Sequence, residues 1–185
     1  SNGRDPFIGG LIEGNTVVNT IGYNLQIKHQ RTREQVNQLA NFPRTTIIRR
    51  NRFIKAENAS ERDAARPNVL VGHFPTDGPG STDEYAIYGN LFFQNPHEAL
   101  FQGEGNIALY SNVFFNSHAN NFPAVAIQPH NDIPRKVRVF FNTVVHPSEG
   151  IRVLRREDRW VDDQLIIGNA VFSWSSTHRS SLRNT

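Results

Sequence analysis

The 185 residues carry 20 Lys and Arg against 17 Asp and Glu, a formal net charge of +3, with 37% hydrophobic and 20% charged residues and neither cysteine nor methionine. A chain of this length buries roughly 70% of its unfolded surface as one compact unit, so 1–185 is expected to be a single domain. The lack of cysteine excludes a thiol nucleophile, an iron–sulfur cluster and Cys-ligated zinc.

The basic residues are spread along the chain rather than gathered into a stripe, which argues against a nucleic-acid partner. No apolar run approaches the roughly 18 residues that cross a bilayer, so no membrane insertion is expected. A chain that starts Ser1-Asn2-Gly3 and holds no methionine reads as a piece of a longer parent.

Taken in chain order, the first pattern is Ile12, Asn15 and Val17, followed by the apolar alternation Leu25 and Ile27. A polar insertion follows, in which Thr32–Ala40 opens on a Thr-x-x-Gln capping pattern and predicts one short helix. The pattern returns as Ile48, Asn51 and Phe53, then Val69 and Val71, with the charged insertion 55–67 between them. A turn-rich insertion over 72–84 follows, with Pro75, Asp77, Gly78, Pro79 and Gly80.

Four more copies come at Ile87-x-x-Asn90-x-Phe92, Leu109-x-x-Asn112-x-Phe114, Val139-x-x-Asn142-x-Val144 and Ile166-x-x-Asn169-x-Val171. Ala99 and Phe101, Val125 and Ile127, and Ile151 and Val153 supply the later second alternations. A basic turn of about 22 residues with variable insertions accounts for the whole series. Each unit reads as two short strands that cannot bury their apolar face alone and must stack on their neighbours. Asparagine suits such a corner because it tolerates left-handed backbone angles and can hydrogen-bond from turn to turn.

This repeated apolar-x-x-Asn-x-apolar corner, from about Gly10 to Phe172, resembles the right-handed parallel β-helix proteins of the pectate-lyase-like superfamily. The resemblance implies an all-β fold, a right-handed single-stranded parallel β-helix of about six coils with loop insertions. It leaves function open, because that superfamily includes polysaccharide lyases, hydrolases, epimerases, tailspikes and surface proteins.

Aligning the second strands on their last apolar residue brings polar side chains into a column. Lys28 and His29 follow Ile27, His73 follows Val71, Gln102 and Glu104 follow Phe101, Gln128 and His130 follow Ile127, and Arg155 follows Val153. Stacked parallel strands would make this a polar ladder roughly 20 Å long. Such a ladder can bind hydroxyls and neutralise uronate carboxylates, so an acidic polysaccharide is the expected partner. That partner implies a secreted, periplasmic or cell-surface location.

The coil Asn24–Gln30 is similar to the one that carries the catalytic lysine in lyases of the chondroitinase B and alginate lyase kind. The resemblance makes Lys28 the base and His73 its neighbour on the next coil. The family's arginine position is Gly72 here, so a guanidinium would have to come from elsewhere, with Arg49 the candidate and Arg50 and Arg66 alternatives. β-Elimination needs a base near the proton alpha to the uronate and positive charge on its carboxylate.

Two weaker constellations are Asn95-Pro96-His97-Glu98, similar to the Asp-Pro-His-Glu run of mannuronan epimerases, and the trio Glu104, His130 and Asp132. No motif supports a cofactor; calcium has no loop of the required spacing. The competing readings are a non-catalytic adhesive or tailspike-type module and a glycan hydrolase or epimerase.

Overall fold

The computed structural model describes residues 6–28, 30, 33, 41–56, 61–154, 163–174 and 182–184. Its short strands fall into three six-stranded parallel sheets. Sheet A stacks β1 (Leu11–Glu13), β4 (Thr45–Arg49), β7 (Glu84–Tyr88), β10 (Gly105–Tyr110), β13 (Pro134–Phe140) and β16 (Asp163–Ile167). Sheet B stacks β2 (Thr16–Val18), β5 (Arg52–Ile54), β8 (Leu91–Phe93), β11 (Val113–Phe115), β14 (Thr143–His146) and β17 (Ala170–Ser173). Sheet C stacks β3 (Leu25–Ile27), β6 (Val69–Val71), β9 (Phe101–Gly103), β12 (Val125–Ile127), β15 (Ile151–Val153) and β18 (Leu182–Asn184).

Every strand pairs in parallel with the strand one coil away, so the chain visits A, B and C in turn and winds a parallel β-helix of six coils. Each coil holds three strands where the sequence suggested two, because the Asn sits at a corner and has a strand on either side. The two apolar columns that flank it are the core of sheets A and B. Ile48, Ile87, Leu109 and Val139 are fully buried in one, and Phe53, Phe92, Phe114 and Val144 in the other. Phe92 and Phe114 stack at 4.4 Å between ring centroids, filling the interior where a smaller side chain would leave a void.

The corner itself is a ladder of six asparagines. Asn51 Oδ1 accepts from both the backbone N–H and the side-chain amide of Asn15, each at 3.0 Å. The same pair of bonds links Asn51 to Asn90, Asn90 to Asn112, Asn112 to Asn142 and Asn142 to Asn169. From Asn51 onward each amide also donates to a carbonyl of the preceding coil, as Asn112 Nδ2 does to Ile87 O at 2.9 Å. Buried polar groups are thereby satisfied along the whole corner.

The left-handed backbone lies one residue earlier than expected. Gly14, Arg50, Gly89, Ser111, Phe141 and Gly168, each immediately before its Asn, have φ between 52° and 70°. The Asn is therefore kept for its side-chain amide, and its predecessor makes the bend.

Sheet C corrects one register. Phe101 stands beside Val69 and Val125, and Gly103 beside Val71 and Ile127, so β9 sits two residues later than the Ala99–Phe101 alternation suggested. A Cβ on Gly103 would lie 2.5 Å from Ile107 Cδ1, so the Ile107 side chain fills the room that the missing apolar residue would take.

The helix expected over Thr32–Ala40 lies outside the described residues except for Arg33. That side chain is buried and donates from Nη1 and Nη2, at 2.9 Å each, to the Asp83 carboxylate, tying the first insertion to the third.

Asn112→Ala is expected to cost about 2–3 kcal/mol in urea unfolding, because it strands the backbone and side-chain donors of Asn90 inside the stack. Asn15→Ala, at the exposed end of the ladder, should cost under about 1 kcal/mol.

Candidate functional site

The outward side of sheet C carries a groove of about 390 Å³ lined by Tyr23, Lys28, Ala65, Arg66, Pro67, Glu98, Gln102, Phe122, Gln128 and His130. Its two walls come from the chain entering and leaving the sheet. Tyr23, Arg66, Glu98 and Phe122 precede strands of successive coils, while Lys28, Gln128 and His130 follow them. Gln102 projects between the walls, with Leu70 and Ala126 beside it in the same outward row. Four of the residues expected from sequence, Lys28, Gln102, Gln128 and His130, thus meet in one place.

Three others do not. Arg49 is on sheet A, where it is ion-paired with Glu13 at 3.0 Å and donates to the Tyr88 hydroxyl at 3.0 Å. That carboxylate raises the Arg49 pKa further, chiefly through the hydrogen bond. Arg49 therefore belongs to a different face from Lys28.

His73 and Glu104 are buried, each 3% exposed or less, and paired with one another at 2.9 Å. Glu104 also accepts from the backbone N–H groups of His130 and Asn131. Asn131 Nδ2 lies 2.9 Å from His73 Nδ1. His73 thus faces the Glu104 carboxylate with Nε2 and the Asn131 amide with Nδ1. The pair forms a buttress below the groove; only His130, whose ring lies 5.3 Å from that of His73, reaches the opening.

Gly72 stands where the lyase resemblance wants an arginine, and the packing explains why none is present. A Cβ there would come within 2.7 Å of both the Glu104 side chain and its carbonyl oxygen, at a φ of 125°. His29 and Arg155 lie outside the described residues. Asp132, the remaining member of the trio with Glu104 and His130, is buried and bound to Arg135 at 2.8 Å.

The groove also holds residues that the column alignment missed. Arg66, from the second insertion, supplies a guanidinium 6.0 Å from the Tyr23 ring centroid, and Lys28 Nζ lies 5.8 Å from the same ring. Burial raises the Tyr23 phenol, with Arg66 opposing that shift.

Glu98 is held by a turn in which Asn95 Oδ1 accepts from the backbone N–H groups of His97 and Glu98. Burial pushes its carboxyl up to about 7 against the Ala99 N–H bond and the charges of Lys55, Arg66 and Arg152. Beneath it Lys55 is fully buried, donating to the carbonyls of Gly22 and Arg66 at 2.9 Å, and burial pushes it down to about 8.

The signal for Glu98 was visible in Asn95-Pro96-His97-Glu98. Its place in the groove was not, because the entry side of sheet C has loops of unequal length. Among the described residues no three His, Asp or Glu side chains gather to hold a metal ion, and no helix is long and apolar enough to cross a membrane. Comparison with family models, curated proteins and solved structures finds no match to this chain.

His73→Ala is expected to lower stability by about 3 kcal/mol, since it removes the side-chain partner of a buried carboxylate and leaves only two backbone N–H groups on it. The pH profile offers a second check. Glu98, raised to about 7, contributes stability that is present below pH 4.5 and lost as pH rises through 7. His146, pushed down to about 4 by burial, contributes stability that is present above pH 6.5 and lost as pH falls through 4. The two slopes oppose each other over nearly the same window. In Glu98→Gln only the His146 slope remains, so its urea midpoint should fall more steeply than that of the wild type between pH 6.5 and about 4.

Proposed function

We propose that this chain is a pectate-lyase-like β-helix that binds an acidic, uronate-containing polysaccharide in the sheet C groove and cleaves it by β-elimination. The observation that carries this reading is the convergence of Lys28, Arg66, Gln102, Gln128 and His130, from four successive coils, on one opening. Arg66 neutralises a uronate carboxylate, the two amides reach sugar hydroxyls, and Tyr23 and Phe122 offer apolar ring surface.

In the elimination, Lys28 takes the proton alpha to the carboxylate while Arg66 balances the charge that builds on that group. The electron pair forms the carbon–carbon double bond and the glycosidic carbon–oxygen bond breaks. The departing oxygen takes the proton of Glu98, a carboxyl that burial keeps protonated close to neutral pH. A hydrolase with paired carboxylates fits less well, since Glu98 is the one carboxyl among the described residues that line the groove. The substrate class places the protein outside the cytoplasm, secreted, periplasmic or at the cell surface.

Incubation with polygalacturonate, alginate and chondroitin sulfate should give an unsaturated product absorbing in the ultraviolet from one of them. Lys28→Ala and Arg66→Ala should each weaken binding of that polymer about tenfold, with Arg49→Ala within about twofold of wild type. Binding without any unsaturated product would reduce the reading to an adhesive module; no binding to any of the three would refute it.

A further inference from the structure

The outward face of sheet A is built differently from that of sheet C. Two rows run up it in strict register: Ile47, Ala86, Ala108 and Arg138 in one, and Arg49, Tyr88, Tyr110 and Phe140 in the next. The rows are extended by Leu11, Leu165 and Ile167, which are 56%, 47% and 55% exposed. Tyr88, Tyr110 and Phe140 stack on one another at 4.8 and 4.7 Å with interplanar angles of 10° and 6°. Their flat faces are used up in the stack, so only their edges point outward. An aromatic ridge therefore stands beside a trough floored by two alanines, on a face that β-helix packing does not require to be apolar.

A ridge beside a trough complements its own copy after a half turn about an axis parallel to the stack, here over the Ala86 and Ala108 rungs. We propose that this chain forms a two-fold dimer through the outward face of sheet A. In that arrangement Tyr88 and Tyr110 of each copy seat over Ala86 and Ala108 of the other, and Arg138 meets the Phe140 ring edge-row of the second copy. Charge placement agrees. The charged members of the two rows are Glu13, Arg49 and Arg138, Glu13 and Arg49 are already bonded within the chain, and no like charges are brought face to face.

The corner residue next to the ridge points the same way. Phe141 is 65% exposed with its ring set edge-on to Phe140 at 5.6 Å, so it extends the exposed apolar surface beside the ridge.

Six strands at ~4.8 Å and five residues at ~3.3 Å give roughly 480 Å² of face per copy, or about 1,000 Å² for the pair. That reaches the lower bound for a specific interface and implies a dimer that dissociates on dilution.

Sedimentation velocity of the full chain from about 1 to about 100 μM should show a monomer–dimer shift. Ala86→Arg, which fills the trough, should weaken association at least about tenfold, and Gln26→Arg on sheet C should leave it unchanged. The chain lacks cysteine, so a test independent of that variant exists. Mixing the single variants Ala86→Cys and Tyr88→Cys under oxidising conditions should give a cross-linked dimer well in excess of either variant alone. A monomer at every concentration overturns the proposal, as does a mixture that fails to cross-link. Co-sedimentation of a monomeric chain with phosphatidylserine vesicles would assign the face to a membrane surface and overturn it equally.

Discussion

The stacked side-chain amides at the Asn corner set the geometry on which everything else depends. A parallel sheet of three-residue strands has few backbone hydrogen bonds per strand and little apolar area to resist slipping. Each of the four inner Asn residues, from Asn51 to Asn142, adds bonds to the Asn above and to a carbonyl below, all directional and shielded from water, as at Asn112. A slip of one residue would strand several buried donors at once, so the ladder pins vertical register as well as holding coils together. The isolated bend before each Asn, made by glycine or by a residue tolerated in the left-handed region, delivers the amide to the right height.

Because register is pinned there, the opposite sheet can vary. Sheet C receives its chain through connections of very different length, and the residues lining its groove come from those connections as much as from the strands. The cost of that variability is absorbed below the surface, where Lys55, Asn68, Asn95 and Asn116 are buried and bonded to backbone carbonyls. His73 and Glu104 do the same at the exit, where Gly72 admits the Glu104 side chain against the backbone. A polar substructure of this kind holds loops in place that apolar packing alone would leave without a fixed position. Burial is what raises Glu98 and lowers Lys55, and the attraction between the two opposes both shifts.

The site was partly legible in the sequence for a definable reason. Lys28, Gln128 and His130 follow strands whose apolar alternation is intact, and counting from that alternation places them correctly. Gln102 was assigned to the groove from the wrong register, since Gly103 occupies a core position that carries no apolar signal, and it reaches the groove as an in-strand outward residue. Arg49 failed because charge type alone does not say which sheet a residue is on. His73 and Glu104 failed because a residue just past a strand can turn inward as readily as outward, and a hydrogen-bonding partner decides which.

By itself the sequence determined the architecture: six Asn corners with apolar residues at fixed offsets permit one way of stacking, because the amide ladder and the buried columns need the same spacing. It determined equally that thiol and Cys-ligated metal chemistry are absent. What only the tertiary structure decided was which polar residues share a surface. Glu98, Arg66 and Tyr23 stand in loops of unequal length, and the position of a loop residue depends on the buried bonds that anchor it rather than on any period in the chain.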